Sequence, residues 1–133
     1  MNSRRRVNSA VIWLLISIAM AFSEQQLKRI ERDVGGLCER RAPPDLKDRI
    51  RLRYEINNHN VLIREARPDW RNPLEWTESD VAKLRYVRAS NKWCLYWKRA
   101  SGKWWLYEPN CRSMTLSAMV NEIDTDSYGC FFG

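Results

Sequence analysis

The sequence predicts an α+β domain in which a five-stranded antiparallel, meander-like sheet is flanked by an N-terminal and a C-terminal helix. Two observations favour this class. Near both ends of the chain, apolar residues recur at spacings of three and four, as they do along one face of an amphipathic helix. Between those ends, apolar and polar residues alternate in short runs separated by turn residues. The expected order is α-β-β-β-β-β-α, with both helices on one face of the sheet.

The first helix is predicted over 23–41. Ser23 is a suitable N-cap, and Gln26, three residues later, can complete a capping box. Gly35-Gly36 weakens the helix, and Pro43-Pro44 ends it. The apolar positions that define its buried face are Leu27, Ile30, Val34, Leu37 and Cys38.

The first two strands are predicted over 50–56 and 61–67. Apolar and charged residues alternate through the first of them, which indicates a strand with one buried face. The segment between them, 57–60, has the sequence Asn-Asn-His-Asn, which is typical of a turn. The two strands should therefore form a hairpin.

A long ordered loop is expected over 68–80, which contains two prolines, two tryptophans and four acidic residues. Loops of this length are uncommon in compact domains unless something fixes them. At the base of this one, an arginine is expected to bind a loop carboxylate such as Glu75 or Glu78. The residues expected to organise the loop are Arg67, Trp70 and Trp76.

Three further strands are predicted over 81–88, 93–98 and 103–107. Short turns at 89–92 and 100–102 join them, so neighbouring strands should be antiparallel.

The second helix should begin near Ser113 or Thr115, after Pro109, and the aromatic tail 128–133 should pack against the core. The apolar face of this helix consists of Leu116, Met119, Val120 and Ile123.

Residues 1–19 are predicted to lie outside the domain, which then covers 20–133. Three arginines precede an apolar run from Val11 to Phe22 that ends in small residues, which is typical of a secretory signal peptide. The run is too short to span a bilayer comfortably. Alternatively, the protein starts at Met20 and 1–19 is an upstream extension of the reading frame. The first interpretation implies export or membrane association, and the second implies a cytoplasmic protein.

The four cysteines also leave two alternatives. In an oxidising compartment Cys38, Cys94, Cys111 and Cys130 would allow two disulfides in any of three connectivities. We favour buried free thiols, because Cys38 and Cys94 fall at core positions of a helix and a strand.

Charge and motifs exclude several classes of function. The net charge of +7 includes three arginines at the extreme N-terminus, and without them 20 basic residues face 16 acidic ones, which is only mildly basic. His59 is the single histidine, in an Asn-rich turn. Neither a metal-ligand spacing nor a glycine-rich phosphate loop is present in the sequence, so we expect no metal, cofactor or catalytic residue. An enzyme that uses loop carboxylates is the weakest of the remaining classes.

The candidate site lies on the sheet. With a four-residue turn at 89–92, Leu84 and Tyr86 share the core face with Trp93, Leu95 and Trp97. The opposite face then carries basic groups interleaved with aromatic rings, an arrangement that favours single-stranded nucleic acid. A protein partner also fits such a surface. We therefore expect a non-enzymatic binding module whose partner is nucleic acid or a protein. The candidate binding residues are Lys83, Arg85, Tyr96, Lys98 and Trp104.

Ordered motifs run through residues 20–133. They are Met20-Ala21-Phe22-Ser23-Glu24, Lys28-Arg29-Ile30-Glu31, Arg40-Arg41-Ala42-Pro43-Pro44, Arg67-Pro68-Asp69-Trp70, Val81-Ala82-Lys83, Trp93-Cys94-Leu95-Tyr96-Trp97, Lys103-Trp104, Tyr107-Glu108-Pro109 and Tyr128-Gly129-Cys130-Phe131-Phe132-Gly133. Together they resemble the bacterial domain-of-unknown-function 3024 family. Members of that family are small and begin near the position of Met20, so the resemblance implies a cytoplasmic protein. It implies no activity, cofactor or catalytic residue.

Overall fold

The computed structural model describes residues 21–133, and the predicted extension over 1–19 lies outside the described residues. The described chain confirms the predicted class: a helix, an antiparallel sheet and a second helix follow one another. Its helices and strands are α1 (Glu24–Arg41), β1 (Arg51–Asn57), β2 (Asn60–Pro68), β3 (Trp76–Val87), β4 (Lys92–Lys98), β5 (Trp104–Leu106), β6 (Arg112–Ser113) and α2 (Leu116–Thr125).

Helix α1 begins at the predicted cap. The Ser23 hydroxyl accepts a hydrogen bond from the Gln26 N–H at 3.1 Å, and the Gln26 side chain accepts one from the Ser23 N–H at 2.9 Å. This reciprocal pair satisfies two N–H groups that the helix itself leaves free. Helix α2 begins after Thr115, one of its two predicted starts, and its four predicted apolar residues are all buried.

The sheet has the strand order β1-β2-β3-β4-β5, and every pairing is antiparallel. Strand β6, which the sequence did not predict, pairs with the start of β4 on the same edge that β5 occupies further along. A 3₁₀ turn at Glu108–Asn110 separates the two short strands. The outer side of β4 is therefore covered by two successive pieces of chain.

Strand β3 corrects the predicted loop boundary, because it starts at Trp76 and not at residue 81. Its pairing with β2 shifts by one residue between Ile63 and Arg64, which leaves Val81 as the extra residue of a β-bulge. Val81 and Ala82 are consequently both buried in the core. Two adjacent inward residues break the alternation that reveals a strand in a sequence, so only the second half of β3 was predicted.

The turn between β3 and β4 occupies residues 88–91 and not 89–92. Leu84 therefore faces Leu95, and Tyr86 faces Trp93. Because the turn is displaced by one residue, the partner of each β3 residue on β4 changes by two positions. Because side chains alternate with a period of two, every residue stays on its predicted face.

Both helices pack on one face of the sheet, and the opposite face is left open. On the packed face Phe22 stacks on Trp93 with ring centroids 5.6 Å apart, and Phe131 of the tail packs on Tyr107 at 5.0 Å. Trp93 and Leu95 are buried as predicted, whereas Trp97 is half-buried against the same core. The four cysteines are free thiols, of which Cys38 and Cys94 are buried. Cys38 belongs to the core as predicted, whereas Cys94 lies on the open face, between Arg85 and Arg112. Within residues 21–133, no helix is long and apolar enough to cross a membrane.

Candidate functional site

The open face of the sheet brings the five predicted binding residues together. The strand register pairs Lys83 with Tyr96 and Lys98 with Trp104, and Arg85 lies two residues beyond Lys83 on the same face. We refer to Lys83, Arg85, Tyr96, Lys98 and Trp104 as the basic–aromatic patch.

The two rings of the patch contact its lysines. The Lys83 ammonium lies 4.7 Å from the centroid of the Tyr96 ring and 5.4 Å from that of Trp104. Lys98 lies 5.4 Å from the Trp104 ring. Cation–π attraction at these distances orients the rings beside the ammonium groups. Both lysines have flexible stems, so they can move aside when another group stacks on a ring.

Three cations on this face have no acidic partner within residues 21–133. Within residues 21–133, neither Lys83 nor Arg85 forms an ion pair. Arg112 of β6 forms none either, and it flanks Cys94 on the side opposite Arg85. Partial burial lowers the pKa of Lys83, and the neighbouring Arg85 lowers it further. An anion that approached this patch would relieve the repulsion between these groups.

The other half of the open face is an ion-pair network. Asp80 pairs with Lys98 at 2.5 Å and with Arg64 at 3.0 Å, and Glu78 pairs with Arg53 at 2.8 Å. The hydrogen bond from Arg53 lowers the pKa of Glu78. The ion-pair network comprises Arg53, Glu55, Arg64, Glu78 and Asp80, and together with Lys98 its charges balance.

This network was missed by sequence reasoning. The bulge at Val81 is what turns Glu78 and Asp80 toward the open face. The adjacent apolar residues Val81-Ala82 were the signal that could have revealed it.

Of the three residues expected to organise the 68–80 loop, Arg67 and Trp76 have other partners, and Trp70 is exposed. Arg67 binds Glu65 at 2.6 Å, not Glu75 or Glu78. Arg67 and Glu65 are two residues apart on one strand and so share a face, whereas Glu78 lies on the opposite face, beside Ala66.

Trp70 is 84% exposed and does not pin the loop to the core. Trp76 belongs to β3, where the Arg51 guanidinium lies 3.9 Å from its ring centroid.

The loop itself, 69–75, is organised by two short polar side chains. The Asp69 carboxylate accepts a hydrogen bond from the Arg71 N–H at 2.7 Å, and the Asn72 side chain accepts one from the Leu74 N–H at 3.2 Å. The Asp69 N–H donates to the Glu75 carbonyl at 2.8 Å and closes the loop. Such Asx turns fix the backbone without any apolar anchor. The loop consequently displays Leu74, which is 91% exposed, beside Trp70.

The single histidine and the carboxylates Glu65 and Glu78 lie apart in the described chain. No group of three or more His, Cys, Asp or Glu side chains in residues 21–133 is arranged to hold a metal ion. His59 is half-buried, with its ring 6.1 Å from that of Phe22. Glu65 and Glu78 point to opposite faces of the sheet, so they do not form an acid–base pair.

Fold and site together define a small α+β domain that covers one face of its sheet with two helices and leaves a charged, aromatic face open. A family model described as "Domain of unknown function (DUF3024)" matches residues 22–133. The chain belongs to this family, as its motifs indicated. No curated protein and no solved structure matches the chain.

Proposed function

We propose that this chain is a non-enzymatic binding module that holds single-stranded nucleic acid on its open sheet face. The observation that supports this most is that Tyr96 and Trp104 lie beside Lys83, while Arg85 and Arg112 flank Cys94 on the same face. None of these three cations has an acidic partner within residues 21–133. Both helices pack on the other face, so a ligand can reach these residues.

Base stacking and electrostatic attraction would both contribute to the binding free energy. Bases stack on the two rings, and each stacked base contributes about 1–3 kcal/mol. The unpaired cations meet the phosphates. A duplex keeps its bases stacked on one another, so it cannot use the rings in this way. With two rings and three unpaired cations we expect modest affinity and little sequence preference.

A titration with a matched control variant tests the proposal. We expect fluorescein-labelled oligo(dT) to bind the wild type at low salt, and Trp104→Ala to bind about tenfold more weakly or worse, because a stacking surface is lost. Trp76→Ala is the control, since Trp76 lies on the same face beside Arg51 but away from Lys83 and Arg85. Equal affinities for the wild type and Trp104→Ala would remove the patch from consideration.

A protein partner is the second candidate, and the 69–75 loop favours it. Trp70 and Leu74 are exposed on a backbone that its own hydrogen bonds fix in place. Rigidly held tryptophans are frequent anchors of protein interfaces. Pull-downs from a nuclease-treated lysate should compare the wild type, Trp70→Ser/Leu74→Ser and Trp104→Ala. A protein that only the loop variant fails to retain would support this candidate, whereas identical recoveries by all three would reject it.

A further inference from the structure

Strand β1 forms one edge of the sheet, and no strand of residues 21–133 lies on its outer side. Its seven residues pair with β2 along their whole length without a bulge and without a proline. None of its backbone groups hydrogen-bonds to a described residue outside the sheet. Proteins usually blunt such an edge, because unpaired N–H and C=O groups recruit a further strand. The side chains of β1 carry both positive and negative charges. They therefore favour a strand with the complementary order of charges, whereas charges of one sign would repel any strand with the same sign.

The sequence of β1 is complementary to itself when two copies run antiparallel about Tyr54. In that register Arg53 faces Glu55 of the second copy, and symmetry makes the pair occur twice. On the other face Leu52 meets Ile56 of the second copy, while the two Tyr54 rings meet at the centre. Every cross-strand pair is then either of opposite charge or apolar, apart from Arg51 with Asn57.

Neighbouring registers lose this match. Centring the pair on Arg53 places two arginines directly opposite each other, and centring it on Glu55 does the same with two carboxylates. Like charges in direct opposition destabilise a strand pair. A register displaced by an odd number of residues would set the apolar face of one strand against the charged face of the other. One register is therefore preferred.

The helix beside this edge leaves room for the second copy. A cleft of 570 Å³ runs between α1 and β1, and Gly35, Gly36 and Tyr54 are among the residues that line it. Packing inside the chain does not require Gly35, because a Cβ there would make only an ordinary 3.7 Å contact with the Tyr54 ring. Glycine is otherwise unfavourable within a helix. The glycine pair keeps open the space into which the second Tyr54 would fit.

We propose that β1 is a homodimerisation edge: two copies of the chain pair their β1 strands antiparallel about Tyr54 and join their sheets into one. The contact is short, so the dimer should be weak and readily reversible. Strand β2 separates this edge from β3, β4 and β5, which carry the basic–aromatic patch, so the contact does not depend on nucleic acid.

Charge exchange between two variants tests this directly by sedimentation equilibrium of the full chain, from about 10 to about 500 µM. Arg53→Glu and Glu55→Arg each place like charges opposite one another, so each variant alone should dimerise at least tenfold more weakly than the wild type. In a mixed dimer of the two variants, both pairs between positions 53 and 55 again consist of one acid and one base. An equimolar mixture should therefore form mixed dimers as tightly as the wild type forms its own. Circular dichroism melts verify that both variants fold.

Arg85→Glu is the control for net charge and for bridging by nucleic acid, and it should dimerise like the wild type. A wild type that stays monomeric at the highest concentration would overturn the proposal, as would a mixture no tighter than its components. If a single variant fails to fold, the double variant Arg53→Glu/Glu55→Arg replaces it. That variant should dimerise with itself but not exchange subunits with the wild type, and free exchange would reject the register.

Discussion

The two halves of the open sheet face differ in charge: the ion-pair network is balanced, whereas the basic–aromatic patch is positive. In the ion-pair network each arginine lies within 4.0 Å of a carboxylate, and three acids balance Arg53, Arg64 and Lys98. In the basic–aromatic patch Lys83 has two rings and Arg85 as its neighbours. Lys98 joins the halves, because it pairs with Asp80 and also lies over Trp104.

A single extra residue accounts for the difference. The bulge at Val81 reverses the alternation of side chains along β3, so Glu78 and Asp80 point to the same face as Lys83. Without it, both carboxylates would point toward the helices, and Glu55 alone would remain to pair with Arg53 and Arg64. The acids are thus held in one half, and the other half remains free to attract an anion.

Charge reversal in the patch should have the largest effect. Lys83→Glu replaces an unpaired cation between two rings with an anion, and we expect oligo(dT) binding at low salt to weaken by about tenfold or more. Arg51→Glu, at the far end of the same face, makes the same change in net charge and should have a much smaller effect. Similar losses in the two variants would mean that overall charge, and not the patch, governs binding.

Removal of the central cation of the network should lower stability without affecting binding. Arg64 pairs with Glu55, Glu78 and Asp80, so Arg64→Met leaves an excess of acid, and we expect a loss of about 0.5–1 kcal/mol in urea melts. Arg85→Met is the control, since Arg85 has no ion pair in the described chain and should cost nearly nothing. Equal melts for the two variants would contradict the distinction between the halves.

Release of Lys98 should strengthen the patch. Asp80→Asn keeps the size of the side chain but removes the charge that holds Lys98, so oligo(dT) binding should tighten by about two- to fivefold. The effect should vanish when Lys98→Gln is combined with it. Weaker binding by Asp80→Asn alone would show that the ion pair positions Lys98 for the ligand.

The smallest effect concerns the depressed pKa of Lys83. Burial and Arg85 disfavour its charged form in the folded state, so the charge lowers stability below the folded-state pKa. That cost disappears as the pH rises toward about 10.4, the ordinary lysine value. Lys83→Met should therefore be slightly more stable than the wild type at pH 7. The gap should shrink in melts at about pH 10, and a gap that widens would contradict this sign.

Alternation and spacing were enough to predict both helices, most of the sheet and the face of every patch residue. The face assignments survived an error in the β3–β4 turn because the pairs moved by two positions, which preserves side-chain direction. The first half of β3 was not predictable in this way, since the bulge at Val81 interrupts the alternation.

Side-chain partners were harder to predict than faces. Arg67 was expected to bind a loop carboxylate, but its partner is Glu65, which lies two residues earlier on the same strand and on the same face. Trp70 was expected to anchor its loop, but Asp69 and Asn72 already fix the backbone there. A large apolar residue in a loop does not indicate by itself whether it faces the core or a partner.

The salt dependence of oligo(dT) binding by the wild type tests the central claim most directly. Each cation that meets a phosphate of a single strand contributes about −0.7 to the slope of log K against log salt concentration. With Lys83, Arg85 and Arg112 unpaired, we expect a slope of about −2 between about 20 and 200 mM NaCl, and about −1.4 for Lys83→Gln. Absence of binding at the lowest salt, or a slope that Lys83→Gln leaves unchanged, would contradict the assignment of the patch.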